Sequence, residues 1–263
     1  MYSKEFCGIY NEYGWDYFSL TMGDAILKYL NKNNIKIKQH LDLGCGVGTL
    51  CDYFFKNGIK TTGLDISPDM INICKNRNEN IDFFVEDMTQ YISNEKYDLI
   101  TITCDAINHI LEEKKFDRII SNVSKMLNTS GYLIFDIIDK DKLILNSNII
   151  SNRSEDIKVH YYITNKGELI NTNIKVIQNN EKIYECDVLE KLYTIEFIKK
   201  ILLKLIFPST AYPNFTIKKA QGYFHPGPPK QSWHIKKTVT TVCIQNRCYR
   251  LLWRYRYLLV KTI

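Results

Sequence analysis

Leu41-Asp42-Leu43-Gly44-Cys45-Gly46-Val47-Gly48-Thr49 is the stretch on which the fold turns. A short apolar run ends in closely spaced glycines, and a helical pattern covers 47–57, so strand, turn and helix are predicted in succession. Glycines at such a place let backbone N–H groups approach a ligand with no side chain in the way. A tight turn with no further role is the plainer alternative, but a strand before and a helix after are what a ligand turn requires. The spacing is GxGxG. In a dinucleotide fingerprint the third glycine would fall at position 49, which is Thr49. Pyrophosphate binding is therefore disfavoured, while a site at the carboxyl ends of parallel strands is retained.

Outward from this turn, strands predicted at 60–64, 81–85, 97–104 and 131–136 alternate with helical patterns at 67–76 and 112–127. Ser67 is the expected N-cap of the first of these helices, with Pro68 at its first position. Phe116, Ile119, Ile120, Val123, Met126 and Leu127 mark one face of the second. Upstream, Phe18, Met22, Ile26, Tyr29 and Leu30 predict an amphipathic helix over 17–32. The alternation predicts an α/β fold with a doubly wound, mostly parallel sheet.

After Asp136 the pattern changes. Segments 157–164, 168–177 and 182–193 are rich in Ile, Val and Tyr and are separated by Asn165-Lys166-Gly167 and Asn179-Asn180. Both separators are turn sequences, so a small antiparallel meander is expected. A helix at 194–206, capped by Thr194, comes next. Proline-rich loop follows, and then two strands at 238–244 and 249–260.

The chain has 263 residues, enough for one large domain with an appendage. Hydrophobic residues at 45% and charged residues at 24% exclude a wholly disordered chain. No apolar stretch is long enough to span a bilayer, and Met1–Phe6 begins no export signal. The eight cysteines contain no CxxC pair and read as reduced thiols, which predicts a cytoplasmic protein. The net charge of +6 hides a division. Residues 1–196 carry all 29 acids beside 22 Lys and Arg, a formal −7, whereas residues 197–263 carry 13 Lys and Arg and no acid.

Asp65 ends the second strand, 17 residues beyond Gly48. A carboxylate there can accept both hydroxyls of a ribose. The third strand runs into Glu86-Asp87-Met88, where Asp87 can accept from an exocyclic amine and Met88 can pack on a purine face.

With these features in order, the chain resembles the class I S-adenosylmethionine (SAM)-dependent methyltransferases. Leu41–Thr49 resembles the first motif of that family, Asp65 its ribose acid, and Glu86-Asp87-Met88 its adenine loop. Tyr97-Asp98-Leu99-Ile100 resembles the opening of its fourth strand, and Gly8-Ile9-Tyr10-Asn11 its upstream "IYD" motif, with Asn11 in place of Asp. The resemblance covers residues 6–136. It implies SAM as cofactor, with S-adenosyl-L-homocysteine as product. It also implies a site formed by Tyr10, Asp42, Gly44, Cys45, Gly46, Gly48, Asp65, Ile66, Met70, Asp87, Met88, Cys104 and Asn108. The meander is more loosely similar to the small-molecule branch that includes dTDP-amino-sugar N,N-dimethyltransferases, in which an extra sheet covers the substrate pocket. The implied division is a core at 1–150, a substrate-covering sheet at 151–193, and a helix with a basic tail at 194–263. A small-molecule acceptor, methylated at nitrogen, is the expectation.

Thr103-Cys104-Asp105-Ala106-Ile107-Asn108-His109 follows the fourth strand, where the transferred methyl is expected to point. Methyl transfer from SAM is an in-line displacement that depends on alignment, and a base is needed only for a protonated nucleophile. Asp105 is the candidate contact for the acceptor, and His109 titrates in the range of a general base. A structural role for either is the competing reading. The segment lacks the Asn/Asp-Pro-Pro-Tyr and Pro-Cys contexts of DNA-base methyltransferases, which disfavours a flipped nucleobase.

The tail is read three ways. Arg247, Arg250, Arg254 and Arg256 among Tyr249, Trp253, Tyr255 and Tyr257 have the composition of a nucleic-acid surface. Thr238–Ile244 and Arg250–Val260 also suit a sheet-closing hairpin. The abrupt change in composition near residue 207 equally suits an altered terminus. His225, His234, Cys243 and Cys248 have poor spacing for zinc, so no metal is expected. A non-catalytic nucleoside-binding protein is the alternative for the body, and a nucleic-acid-binding protein for the tail.

Overall fold

β1 (Gln39–Leu43) is built from residues that bury on both faces, and it occupies the middle of the main sheet. In a computed structural model, residues 6, 7, 10, 16–138, 147–152, 155–206, 218–220, 241–243 and 258–261 are described. β1 pairs in parallel with β2 (Lys60–Asp65) on one side and β4 (Tyr97–Ile102) on the other. β3 (Asp82–Val85) lies outside β2, and β5 (Leu127–Phe135) outside β4, both in parallel. The chain thus winds β1, β2, β3 outward, then returns to start again at β4. That reversal opens a crevice at the carboxyl ends of β1 and β4, where open α/β sheets bind ligands.

Helices cover both faces. α1 (Tyr17–Lys32) and α2 (Thr49–Lys56) bury Met22, Ile26, Leu30, Leu50 and Phe54 against Leu99, Tyr132 and Ile134. On the opposite face α4 (Glu113–Met126) and α5 (Ile195–Ile206) bury Phe116, Ile120, Ile198 and Leu202 against Leu133 and Phe135. The alternation of Tyr132 and Ile134 with Leu133 and Phe135 is the period of two that a sheet buried on both faces demands. α3 (Pro68–Arg77) follows β2, and its expected cap is in place, with the Ser67 hydroxyl accepting from the Met70 N–H at 3.3 Å. Thr194 caps α5 in the same manner, its Oγ1 taking the Phe197 N–H at 3.2 Å.

The meander has four strands rather than the three expected. β7 (Ile157–Lys166), β8 (Leu169–Gln178) and β9 (Glu181–Lys191) are joined at the anticipated turns, and Asn179 and Asn180 both take positive φ. Two such residues are what a two-residue hairpin turn of type I′ requires. The addition is β6 (Ser147–Asn152), antiparallel to β7. Its Ser and Asn content gives little strand signal, and pairing with β7 supplies what propensity does not.

Two boundaries also moved. β4 stops at Ile102, two residues short of expectation, because Cys104 and Asp105 adopt left-handed φ of 62° each and cannot continue a strand. β5 begins at Leu127, four residues early. Of the expected closing strands, β12 (Leu258–Lys261) runs antiparallel to β5 at the sheet edge. β11 (Thr241–Cys243) pairs with β10 (Lys218–Ala220) instead of with β12. The remaining tail residues singled out above lie outside the described residues.

Candidate functional site

The glycine turn is held open by its backbone. Gly44, Gly46 and Gly48 have φ of 79°, 54° and 75°, a region that L-residues enter at a cost. The N–H groups of Gly44 and Cys45 both donate to the Leu64 carbonyl, at 2.8 and 2.9 Å. The Gly46 N–H donates to Asp65 Oδ2 at 3.0 Å, and the Ser67 N–H to Asp65 Oδ1 at 2.9 Å. Asp65 therefore joins the turn after β1 to the start of α3. Burial pushes its carboxyl upward, and backbone N–H bonds from Ser67, Gly46 and Ile66 work against that rise. A Cβ at Gly44 would lie 2.9 Å from Met88 Cε and 3.1 Å from Ala106 Cβ, whereas one at Gly46 would meet nothing within 4 Å. Gly46 thus borders open space, with a carboxylate fixed behind it.

Below the turn the residues are polar yet buried. Asp42 Oδ1 accepts from the Thr101 hydroxyl at 2.5 Å, and Thr101 Oγ1 meets His40 Nε2 at 2.8 Å. Thr101 has one proton to give, and Asp42 receives it, so His40 donates through Nε2. His40 Nδ1 then has no hydrogen-bond partner among the described residues. Burial raises the Asp42 carboxyl to about 7 and lowers His40 to about 3. The Cys45 side chain packs with Cys51, Cys74, Ile71, Ile81 and Phe83, so only its backbone belongs to the turn. Burial pushes the Cys45 and Cys51 thiols upward, and a hydrogen bond with Cys45, followed by burial, does so at Cys74, which makes all three poor nucleophiles.

The rim gathers several of the expected residues. Ile66 is 52% exposed beside Asp65, an apolar surface next to a fixed carboxylate. Asp87 Oδ1 accepts from the Thr89 N–H at 2.8 Å and so shapes its own loop, while Met88 reaches the Gly44 end of the turn. Tyr10 packs in one cluster with Phe6, Cys7, Val47 and Met70, joined by Tyr184 and Cys186 of β9. The Phe6 ring lies 5.6 Å from that of Tyr10 and 5.4 Å from that of Tyr184. The second sheet therefore sits over the N-terminal aromatics, and these sit over the turn.

The segment after β4 is fastened from three directions. Ser19 Oγ of α1 lies 3.2 Å from Cys104 Sγ. The Asp105 N–H donates to Asp136 Oδ2 at 3.1 Å, just beyond β5. Asn108 is fully buried. Its Nδ2 donates to the Lys191 carbonyl at 2.7 Å, and its Oδ1 accepts from the Ile138 N–H at 3.1 Å. The amide of Asn108 is thus spent on joining the second sheet to the core. Asp105 is half-buried, whereas His109, at the end of the following 3-10 turn (Ala106–His109), is exposed. Sequence reasoning overlooked Asp136, Ser19 and Thr101, whose partners are 31, 85 and 59 residues away. Among the described residues no group of three or more His, Cys, Asp or Glu is arranged to hold a metal ion.

A sequence profile described as a methyltransferase domain matches residues 41–131, which span the turn, Asp65, Asp87 and the segment after β4. The fold is similar to that of a SAM-bound amino pentose methyltransferase from Micromonospora echinaspora, with a TM-score of 0.69 at 14% identity. That likeness covers 91% of this chain and 96% of the other. Residues 41–131 match a methyltransferase domain, and the fold around them is that of the class I methyltransferases. Over 126 residues the chain is 33% identical to a protein named as a putative methyltransferase in Geobacillus sp. (strain WCH70), covering 46% of this chain and 51% of that one. Over 121 residues it is 30% identical to a ubiquinone biosynthesis O-methyltransferase of Coxiella burnetii, covering 44% and 50%. The chain spans about half the length of the curated relatives it matches. No helix among the described residues is long and apolar enough to cross a membrane.

Proposed function

We propose that this methyltransferase domain transfers a methyl group from SAM to a nitrogen of a small-molecule amine. The observation that carries the reading is open, left-handed Gly46 backed by the Asp65 carboxylate, a cradle that a Cβ would fill. The residues suit SAM. Asp65 has acceptor capacity left for ribose hydroxyls, Asp87 can accept from the adenine amine, and Ile66 and Met88 offer apolar contact. Gly46 leaves room for the methionine part, and Phe6 and Tyr10 exclude water above it. When bound, SAM supplies an electrophilic methyl on a sulfonium.

The chain's own contribution is alignment. An amine must arrive with its lone pair free and directed, and a carboxylate that holds its N–H groups provides both orientation and a place for a proton. Asp105 has this role in the proposal, since it is half-buried on a segment anchored at both ends. A hydroxyl acceptor is the second reading, favoured by the 30% identity to an O-methyltransferase. A hydroxyl would call on a base such as His109.

The test is to incubate the chain with SAM and a panel of amino sugars, alkylamines, phenols and hydroxy acids, and to measure S-adenosylhomocysteine. Formation with an amine supports the proposal. Formation only with hydroxyl compounds supports the second reading. SAM binding without product from any of them indicates a non-catalytic nucleoside-binding protein.

A further inference from the structure

The second sheet separates its charges by face. Tyr184 and Cys186 of β9 pack with Phe6 and Tyr10 above the glycine turn, so alternate residues from 184 to 190 turn toward the core. The neighbouring strands continue that face through Val159, Ile174 and Val176, which are buried together. Lys158, Lys175, Glu185 and Asp187 fall on the outer face. There Lys175 pairs with Glu185 at 3.1 Å, and Asp187 accepts from Asn171 at 2.8 Å. Among the described residues buried or half-buried on the inner face, the one charged side chain is Glu190, at 5% exposure.

Glu190 stands where β9 meets the acceptor side of the site. The next residue, Lys191, gives its carbonyl to Asn108 of the segment that carries Asp105, and its ammonium lies 3.5 Å from Glu113 and 3.6 Å from Glu168. Two further polar atoms are buried nearby without hydrogen-bond partners among the described residues. One is Asp136 Oδ1, whose other oxygen accepts the Asp105 N–H. The other is Ser151 Oγ of β6, opposite Val159 on the inner face. Polar groups in such places cost free energy until a partner meets them. An ammonium brings charge and N–H donors to carboxyls. A phosphate would leave water to face a wall whose described residues include no Lys or Arg.

We infer that Glu190 is a specificity-determining residue, and that the acceptor is a cationic amine on an apolar, phosphate-free body rather than a sugar carried on a nucleotide. Aliphatic amines are protonated near neutral pH, as lysine is. Glu190 selects that form on arrival, and Asp105 orients the nitrogen for reaction. The amine rests on the function proposed above, whereas the exclusion of phosphate rests on the wall itself.

Calorimetry on the whole chain saturated with S-adenosylhomocysteine tests recognition without turnover. The probes are tyramine, its hydroxyl counterpart tyrosol, and tyramine O-phosphate. Tyramine should bind at least about tenfold more tightly than either of the others. Glu190→Gln should bring tyramine and tyrosol within about threefold of each other, with S-adenosylhomocysteine affinity within about threefold of native. A merely structural role would weaken both probes alike and keep their ratio. An unchanged ratio, equal or tighter binding of the phosphate, or no binding of tyramine overturns the inference. A second variant, Val188→Lys, sets a base on the same half-buried face and should tighten tyramine O-phosphate about tenfold. No gain contradicts the placement of that face. Glu190-dependent binding of tyramine with no amine methylated ends the proposed function and leaves the recognition site standing. Methylation of amines with the phosphate form preferred does the reverse. Should the native chain not bind S-adenosylhomocysteine, the function falls, and the same titrations on the chain alone still judge Glu190.

Discussion

Gly46 gives its backbone N–H to the Asp65 carboxylate at 3.0 Å, so the glycine turn and the acid that ends β2 form one unit. A ligand lying over Gly46 is within the reach of that acid because the turn itself is hung on it. Proximity in space follows from β1 and β2 being neighbours with Leu43 opposite Leu64.

Gly46→Ala and Gly44→Ala should therefore fail differently. Both place a side chain at positive φ, which costs about 1–2 kcal/mol. Only Gly44→Ala also drives a methyl against Met88 and Ala106. Urea unfolding should show about 1 kcal/mol lost for Gly46→Ala and about 2–4 kcal/mol for Gly44→Ala. Calorimetry should nevertheless find SAM affinity at least tenfold weaker in Gly46→Ala, since its methyl occupies the open space.

Thr101 links two buried ionisable side chains, Asp42 and His40. Thr101→Val keeps the shape and removes both bonds, leaving two buried polar atoms without partners. The expected loss is about 2–5 kcal/mol by urea unfolding.

The same chain of bonds predicts a pH dependence. His40 is lowered to about 3, so the stability it contributes is complete above pH 6.5 and is lost as pH falls toward 3. Asp42 is raised to about 7, so its contribution is complete below pH 3.8 and is lost as pH rises through 7. Between about pH 4 and 6.5 the two oppose one another. His40→Gln removes the first and leaves the second. Relative to the native protein, this variant should gain on the order of 3 kcal/mol as pH falls from 6.5 to 3, followed by unfolding at several pH values.

Asn108 ties Lys191 of β9 and Ile138 beyond β5 to the segment after β4. Asn108→Ala should cost about 2–4 kcal/mol. Hydrogen exchange at the Ile138 amide should accelerate strongly, while SAM affinity changes little if the amide's role is the joining of sheets.

The features legible in the sequence were local ones. The glycine turn, the Ser67 and Thr194 caps, and the Asn179-Asn180 hairpin each depend on a few consecutive residues whose chemistry dictates the backbone. The chain order of strands and helices likewise pointed to the doubly wound sheet. Tertiary partners were not legible. Nothing near Thr101 announces Asp42 and His40, and nothing in Phe135-Asp136-Ile137 distinguishes a strand end from a carboxyl set against Asp105. β6 was missed because only Ile149 and Ile150 are apolar there, between Ser-Asn on either side, and only the long neighbour β7 makes that segment a strand. The left-handed pair Cys104-Asp105 was equally hidden, since the sequence there contains no glycine.

Calorimetric titration of SAM into the native chain and into Asp65→Ala tests the account most directly. One molar equivalent of SAM should bind the native chain, and Asp65→Ala should weaken binding about a hundredfold, as expected for losing two hydrogen bonds to a charged group. No binding by the native chain, or undiminished affinity in Asp65→Ala, would contradict the assignment of this turn and this acid to the cofactor.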